Sequence, residues 1–340
     1  MPQIIGEYID RLVNIEMRVC GSLPRGVTHR LYEAARDKMG APLTYLAADL
    51  LRKNLKPGDK VVIATGAGVP PWLPKGETDG PLGAASLARA LDLGLGAKPI
   101  IVGEERTMGP NIATLEAAGL MVSDEALFEQ RGHLALAIPY PLGEKAGREK
   151  AEEILEKHNP KAIITVEKHG PSKSGQYHSI MGVGRSPDTV ANVCFLTDSA
   201  MSKKIPVIGV GDGGNEIGFG VIHEDVARIQ PHGGKCQCPC GAGIATVSKA
   251  DVLVAAAISN WGAYGIAAML AFILKEENVL HDLDAEYRML EACIRAGGMD
   301  GLYTNLSMFV DGTSWQAQQS MLTLLHEIVR NALTDQKRNW

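Results

Sequence analysis

Six short apolar runs, each followed by a stretch of helical periodicity, constrain this chain more than any other feature. They are Lys60 to Ala64, Pro99 to Val102, Leu134 to Ile138, Ala162 to Val166, Pro206 to Val210 and Val252 to Ala257. They are apolar throughout rather than alternating, as strands are when both faces are buried. Helical stretches such as Pro81 to Leu95, Glu144 to Lys157 and Trp261 to Lys275 lie between them. The pattern predicts an α/β fold: an open, mostly parallel sheet with helices on both faces, in a Rossmann-like three-layer arrangement.

The first 55 residues read as two helices split by a turn from Gly21 to Gly26. Ile5, Tyr8, Ile9 and Leu12 form one apolar stripe in the first of them, so residues 1–55 are expected to pack as a helical segment on a main domain of residues 56–340. Met321, Leu324, Leu325, Ile328 and Leu333 make the amphipathic helix that closes that domain.

With 45% hydrophobic and 21% charged residues, the 340-residue chain is ordinary for a globular protein, and its net charge of -5 gives no electrostatic footprint for nucleic acid. No apolar run approaches the roughly 20 residues of a membrane span, and the start MPQIIGEYIDRL has no signal-peptide pattern. Six scattered cysteines do not make a disulfide scaffold. A cytoplasmic chain is expected, and a homo-oligomer is the usual state of a compact metabolic enzyme.

In a parallel sheet the loops after the strands carry the chemistry. Four such loops are rich in polar residues. The first, TGAGVPPWLPKGETDGP, starts at Thr65, Gly66 and Gly68 and ends in Glu77, Thr78, Asp79, Gly80 and Pro81. It lacks the G-K-S/T of a P-loop. Thr78 and Asp79 read either as caps or as neighbours of a helix amino end that holds a substrate carboxylate, with Glu77 or Asp79 handling a cation or ammonium. Ser259 and Asn260, in SNWG, carry the same two readings.

The second loop, EKHGPSKSGQYHS, concentrates Glu167, Lys168, His169, Lys173, Tyr177 and His178. Glu167 follows directly on a buried strand, where desolvation raises a carboxyl pKa toward the range useful for acid–base work, and His169 can share that task.

Gly209, Gly211 and Gly214 spell G-x-G-x-x-G behind an apolar run. A dinucleotide turn needs an acidic residue about 20 positions on, at the end of the next strand. Glu224 and Asp225 come too early, the next strand starts near Val252, and Asp212 would face the pyrophosphate, so no dinucleotide is expected. What remains is a turn in which Asp212, Gly213, Gly214, Asn215 and Glu216 bring a backbone close to a ligand or a divalent cation such as Mg or Mn. The plainer alternative is that Asp212 and Asn215 serve the turn and Glu216 caps the following helix.

Cys236, Cys238 and Cys240 alternate in KCQCPCG and, in an extended strand, would share a face. They read either as a free-thiol cluster or as metal ligands with His232 as a candidate fourth.

TGAG with ETDGP, GDGGNEIGFG and SNWGAYG together resemble the C-terminal domain of the D-glutamate cyclase family, from about Lys56 to near the C terminus. The MRVCGSLPRG segment at 17–26 looks like the stand-alone bacterial members. The cysteine run lies outside the family's pattern. The resemblance implies a lyase that interconverts glutamate and 5-oxoproline with loss of water, the D enantiomer being the substrate in the animal enzyme. It joins the residue reading in one scheme. Glu167 or His169 removes the ammonium proton, Asp212 and Glu216 hold the divalent cation, Asn215 steadies the oxyanion, and one of the two helix ends holds the α-carboxylate. The expected partner is thus a small-molecule carboxylate rather than a membrane or nucleic acid. A lyase or hydrolase acting on another small amino or hydroxy acid and a non-catalytic acid or metal sensor remain alternative readings.

Overall fold

The computed structural model describes residues 1–18, 23–186 and 189–334. Three helices open the chain: α1 (Pro2–Val13), α2 (Val27–Met39) and α3 (Leu43–Asn54). The sequence reading expected two; Gly40 in a left-handed conformation ends α2 and Pro42 starts α3, breaking a stretch that had looked continuous. Part of the expected Gly21–Gly26 turn, residues 21 and 22, lies outside the described residues.

The main body follows as β1 (Lys60–Thr65), α4 (Pro81–Leu95), β2 (Lys98–Glu104), α5 (Met108–Ala117), β3 (Met121–Val122), α6 (Glu125–Gln130), β4 (Leu134–Tyr140), α7 (Glu144–His158) and β5 (Ala162–Val166). A short ribbon, β6 (Tyr177–His178) and β7 (Gly184–Arg185), precedes α8 (Cys194–Ser202), β8 (Val207–Gly211), α9 (His223–Ile229), β9 (Val252–Ala255), α10 (Ser259–Leu274) and α11 (Leu283–Arg295). A second ribbon, β10 (Phe309–Val310) and β11 (Thr313–Ser314), leads into α12 (Trp315–Leu333).

Seven strands form one parallel sheet in the order β3-β4-β2-β1-β5-β8-β9. All six expected strands are present, and the short edge strand β3 adds the seventh. Side chains alternate between two cores: Val61 and Ile63 of β1 pack with α1, α3, α4 and α10, while Val62 and Ala64 pack with α7 and α8. α10 is buried along nearly its whole length, packed on α3, α4 and α12, which is why it is apolar all round. The first three helices share this core, with α2 and α3 against β9.

From β1 the chain moves outward to β2, then returns across β1 to β5. The carboxyl ends of β1 and β5 therefore flank the topological switch point, where open α/β sheets place their ligands.

Candidate active site

Backbone pairing gathers the rim loops at this switch point. The loop after β5 is zipped to the turn after β8 by hydrogen bonds from Gly170 N to Asn215 O (2.8 Å) and from Ile217 N to Lys168 O (2.8 Å). The loop after β1 joins the start of α10 through two side chains. Asp79 accepts from Ser259 N (3.0 Å) and Asn260 N (2.8 Å), and Asn260 Oδ1 accepts from Gly80 N (2.8 Å) and Gly83 N (2.7 Å). Gly80 lies at φ 103°, and a Cβ there would sit 2.8 Å from Thr65 Oγ1 and 3.1 Å from Glu167 Cβ, so only glycine lets β1 and β5 converge here.

Between these loops is a cavity of about 570 Å³, lined among others by Arg18, Glu77, Glu167, His169, Arg185, Asp212, Asn215, Glu216 and Asp311. That is within the range of small-molecule sites. Carboxylate oxygens of Asp79, Glu167 and Asp212 lie within 4.8 Å of one another, and all three residues are buried.

Burial is the main reason these carboxyls hold protons tightly, and mutual repulsion adds to it. Glu167 is raised well above its ordinary value by desolvation and then by the charges of Glu216, Asp212, Asp79 and Glu77. Desolvation likewise raises Asp212 well above its ordinary value, against the lowering influence of Arg18. Asp79 is pushed up to about 7 by burial and by Asp311, with the Asn260 and Ser259 amides opposing. Glu77 is raised by burial, Asp311 and Asp79.

Two guanidiniums face the six carboxyls of Glu77, Asp79, Glu167, Asp212, Glu216 and Asp311. Arg18 pairs with Asp212 and, at 2.7 Å, with Asp311, and it donates to the Ala257 carbonyl. Arg185 lies with Nη1 3.0 Å from His169 Nδ1. Arginine only donates, so His169 Nδ1 accepts and the ring proton sits on Nε2, which is 3.8 Å from Glu167 Oε1. Burial, then Arg185 and Lys168, depress the His169 pKa well below its usual value, and the imidazole is neutral. Ser259 Oγ donates to Glu167 Oε2 at 2.5 Å. Glu167 itself adopts φ 49°, in the left-handed region that non-glycine residues enter uncommonly.

Several expected roles change. Glu216 neither caps a helix nor joins the carboxylate triad: its carboxylate folds back to accept from Gly213 N (3.1 Å) and Gly214 N (2.8 Å). The amides that a pyrophosphate would need are thus engaged within the turn. The amino end of α10 is closed by Asp79, so Ser259 N and Asn260 N do not face a substrate carboxylate. Lys168 points away from the cavity to Glu104 and to the Gly66 carbonyl (2.9 Å), where a buried ammonium finds its counter-charge. Thr78 ties the loop to the Phe309 carbonyl (2.9 Å). Gly66 and Gly68 pack on Thr107 and Arg106, and Thr65 lies beside Gly80. Asn215 donates to the His178 carbonyl (3.0 Å), and its Oδ1 is buried without a partner among the described residues. The cysteine segment is a turn rather than a strand, and the sulfurs of Cys238 and Cys240 meet His178, while His232 lies by Gln237.

Arg18, Arg185 and Asp311 escaped the sequence reading. Arg18 arrives from the segment after α1, far away in sequence, and Arg185 from a two-residue strand. Asp311-Gly312 carries a hairpin-turn signal, which locates a turn and says nothing of the charge it delivers.

A parallel three-layer sheet whose switch point gathers protonatable carboxyls, a neutral imidazole and two arginines defines an α/β protein with a charged cavity of small-molecule size at that point. The carboxylate oxygens of Asp79, Glu167 and Asp212 are hard donors, which fit Mg or Mn. The chain belongs to the D-glutamate cyclase-like, C-terminal family, whose profile matches residues 17–326. It is similar to human mitochondrial D-glutamate cyclase, with 31% identity over 208 residues, covering 58% of this chain and 30% of that protein. The match thus spans less than a third of the human protein's length. No helix among the described residues is long and apolar enough to cross a membrane.

Proposed function

We propose that this chain is a lyase that interconverts glutamate, in its D form, and 5-oxoproline by intramolecular cyclisation with loss of water. The observation that carries the reading is Glu167: a buried, protonatable carboxyl in a strained backbone conformation, set between a carboxylate cluster and a neutral His169. Family membership and the relative's name, D-glutamate cyclase, supply the substrate class.

Ring closure forms the bond from the amine nitrogen to the side-chain carboxyl carbon and breaks one carbon–oxygen bond of that carboxyl. Two hydrogens leave nitrogen and depart with the oxygen as water. A single group that takes protons from nitrogen and returns them to the leaving oxygen therefore suffices. Glu167 is that group, because burial raises its affinity for a proton well above that of an ordinary carboxylate. Ser259 orients it by a hydrogen bond, and the Nε2–H side of His169 lies 3.8 Å away. Arg185, fixed by His169, offers its remaining donors to a substrate carboxylate, and Asn215, whose amide also holds the His178 carbonyl, borders the reacting carboxyl. Asp79 and Asp212 would hold a divalent cation. Bound there, it supplies Lewis-acid polarisation of the reacting carboxyl.

The test is incubation of the purified chain with each enantiomer of glutamate and of 5-oxoproline, with and without Mg or Mn, followed by chiral chromatography. Interconversion of the D pair supports the reading. A folded chain that leaves all four compounds unchanged with either metal contradicts it.

A further inference from the structure

Beside the acidic cavity, and sharing a wall with it, four soft or borderline ligand atoms converge. His178 Nε2 lies 3.3 Å from both Cys238 Sγ and Cys240 Sγ. Cys236 Sγ lies 3.3 Å from Cys238 Sγ and 3.4 Å from Cys240 Sγ, and those two are 3.2 Å apart. These five near-equal separations, with all four ligand atoms within 4.8 Å of one another, approach the edges of a tetrahedron. With Zn–S of about 2.3 Å and Zn–N of about 2.0 Å, the S–S and S–N edges measure about 3.8 and about 3.5 Å, so an expansion of about half an ångström or less seats the ion. The sulfurs are much too far apart for disulfides, whose bond is about 2.05 Å.

We propose that His178, Cys236, Cys238 and Cys240 form a structural zinc site. Four protein ligands fill a tetrahedral shell and leave no position for substrate, the mark of a structural rather than a catalytic centre. Thiolates also select zinc over the Mg or Mn suited to the carboxylates next door. The fold supplies the missing histidine. His178 pairs with Gly184 across the β6–β7 ribbon, and Gln237 N donates to Gly182 O (2.8 Å), which lays the ribbon on the cysteine turn. A Cβ on Gly184 would stand 3.2 Å from Cys238 Cβ, so glycine permits the approach. His232, the ligand suggested by sequence, lies with Nε2 3.4 Å from the Gln237 amide instead.

The site has a consequence for the cavity. Ile180, Met181, Val183 and Arg185 of the same ribbon line it, and the His178 carbonyl is held by Asn215. The zinc ion pins the wall that carries Arg185.

The test uses the full chain purified under reducing conditions. After dialysis against a chelator that strips Mg and Mn, elemental analysis is expected to find one zinc per chain. The cobalt-substituted chain is expected to show thiolate charge-transfer bands and the intense visible bands of tetrahedral cobalt. Cys238→Ser and His178→Gln should each weaken zinc retention by roughly tenfold or more, since even outer-shell changes cost about that much, and His232→Gln should leave it unchanged. Absence of zinc after reconstitution with reductant present overturns the proposal, as does zinc retained in Cys238→Ser or a cobalt spectrum without thiolate bands. The cobalt spectrum is read on the unaltered chain, so a variant that fails to fold does not rescue the proposal. None of these readouts depends on turnover, which keeps the outcome separate from that of the cyclase reading.

Discussion

Asp79 and Asn260 each close the helix that the other begins. The Asp79 carboxylate accepts from Ser259 N and Asn260 N at the start of α10, while Asn260 Oδ1 accepts from Gly80 N and Gly83 N at the start of α4, and its amide donates to the Thr78 carbonyl (3.0 Å). These helices follow strands on opposite sides of the switch point, so the exchange fixes the two loops that flank the cavity.

Asn260→Ala takes the acceptor from Gly83 N and the donor from the buried Thr78 carbonyl, while Gly80 N keeps Asp79 Oδ1 at 3.0 Å. At about 1–3 kcal/mol for each of these two groups, we expect a loss of about 2–6 kcal/mol in urea unfolding, with turnover also reduced because the loop that carries Asp79 loses its side-chain tie to α10. Unchanged stability would show that water replaces the amide at no cost.

Glu167→Gln keeps the shape of the side chain and removes proton exchange. Turnover is expected to fall by roughly 10²–10⁴-fold. In the unaltered chain the rate should rise with pH as Glu167 ionises, over a range above that of an ordinary carboxylate because its pKa is raised. The variant should lack that limb. A variant with an unaltered profile assigns the proton transfer elsewhere.

Arg185→Gln removes the charge that holds His169 Nδ1 as an acceptor. Desolvation and then Arg185 keep the His169 pKa low, so the variant's imidazole should titrate at higher pH, as measured by histidine NMR against a His169→Gln control. Loss of a charge-assisted contact to substrate should cost about 10–100-fold in kcat/KM. A silent NMR titration together with full activity would remove Arg185 from the site.

Asp10 offers a separate stability test, remote from the cavity. It caps α3 by accepting from Leu43 N (2.6 Å) and Thr44 N (3.0 Å), yet burial raises its pKa from 3.8 to about 6. The folded chain thus binds this proton more tightly than the unfolded one. The resulting stability is fully present below about pH 4 and is lost as pH rises through 6. About two pKa units correspond to about 3 kcal/mol, so unfolding free energies of the unaltered chain and Asp10→Asn should diverge by up to that amount between pH 4 and 7. A constant difference would show that Asp10 has the same pKa in both states.

The strands were legible because burial on both faces makes them apolar without interruption, as Ile163 and Ile208 show. Their carboxyl ends then located Glu167, Asp212 and Asp79 without any knowledge of strand order. Direction was harder to read. Whether Glu216 faces a ligand or its own turn depends on Gly213 and Gly214 amides, and whether Lys168 faces the cavity depends on Glu104, a residue 64 positions away. The break between α2 and α3 rested on one left-handed glycine. Arg18 and His178 acquire their settings only through tertiary contacts with Asp212 and with the cysteine turn, which no local spacing encodes.

The most direct measurement runs the reaction in its opening direction, with D-5-oxoproline supplied in ¹⁸O-labelled water together with Mg or Mn. The account requires D-glutamate carrying one new label in its side-chain carboxyl and none in its α-carboxyl, with formation lost in Glu167→Gln. Unlabelled glutamate, label in the α-carboxyl, or full activity in Glu167→Gln would contradict it.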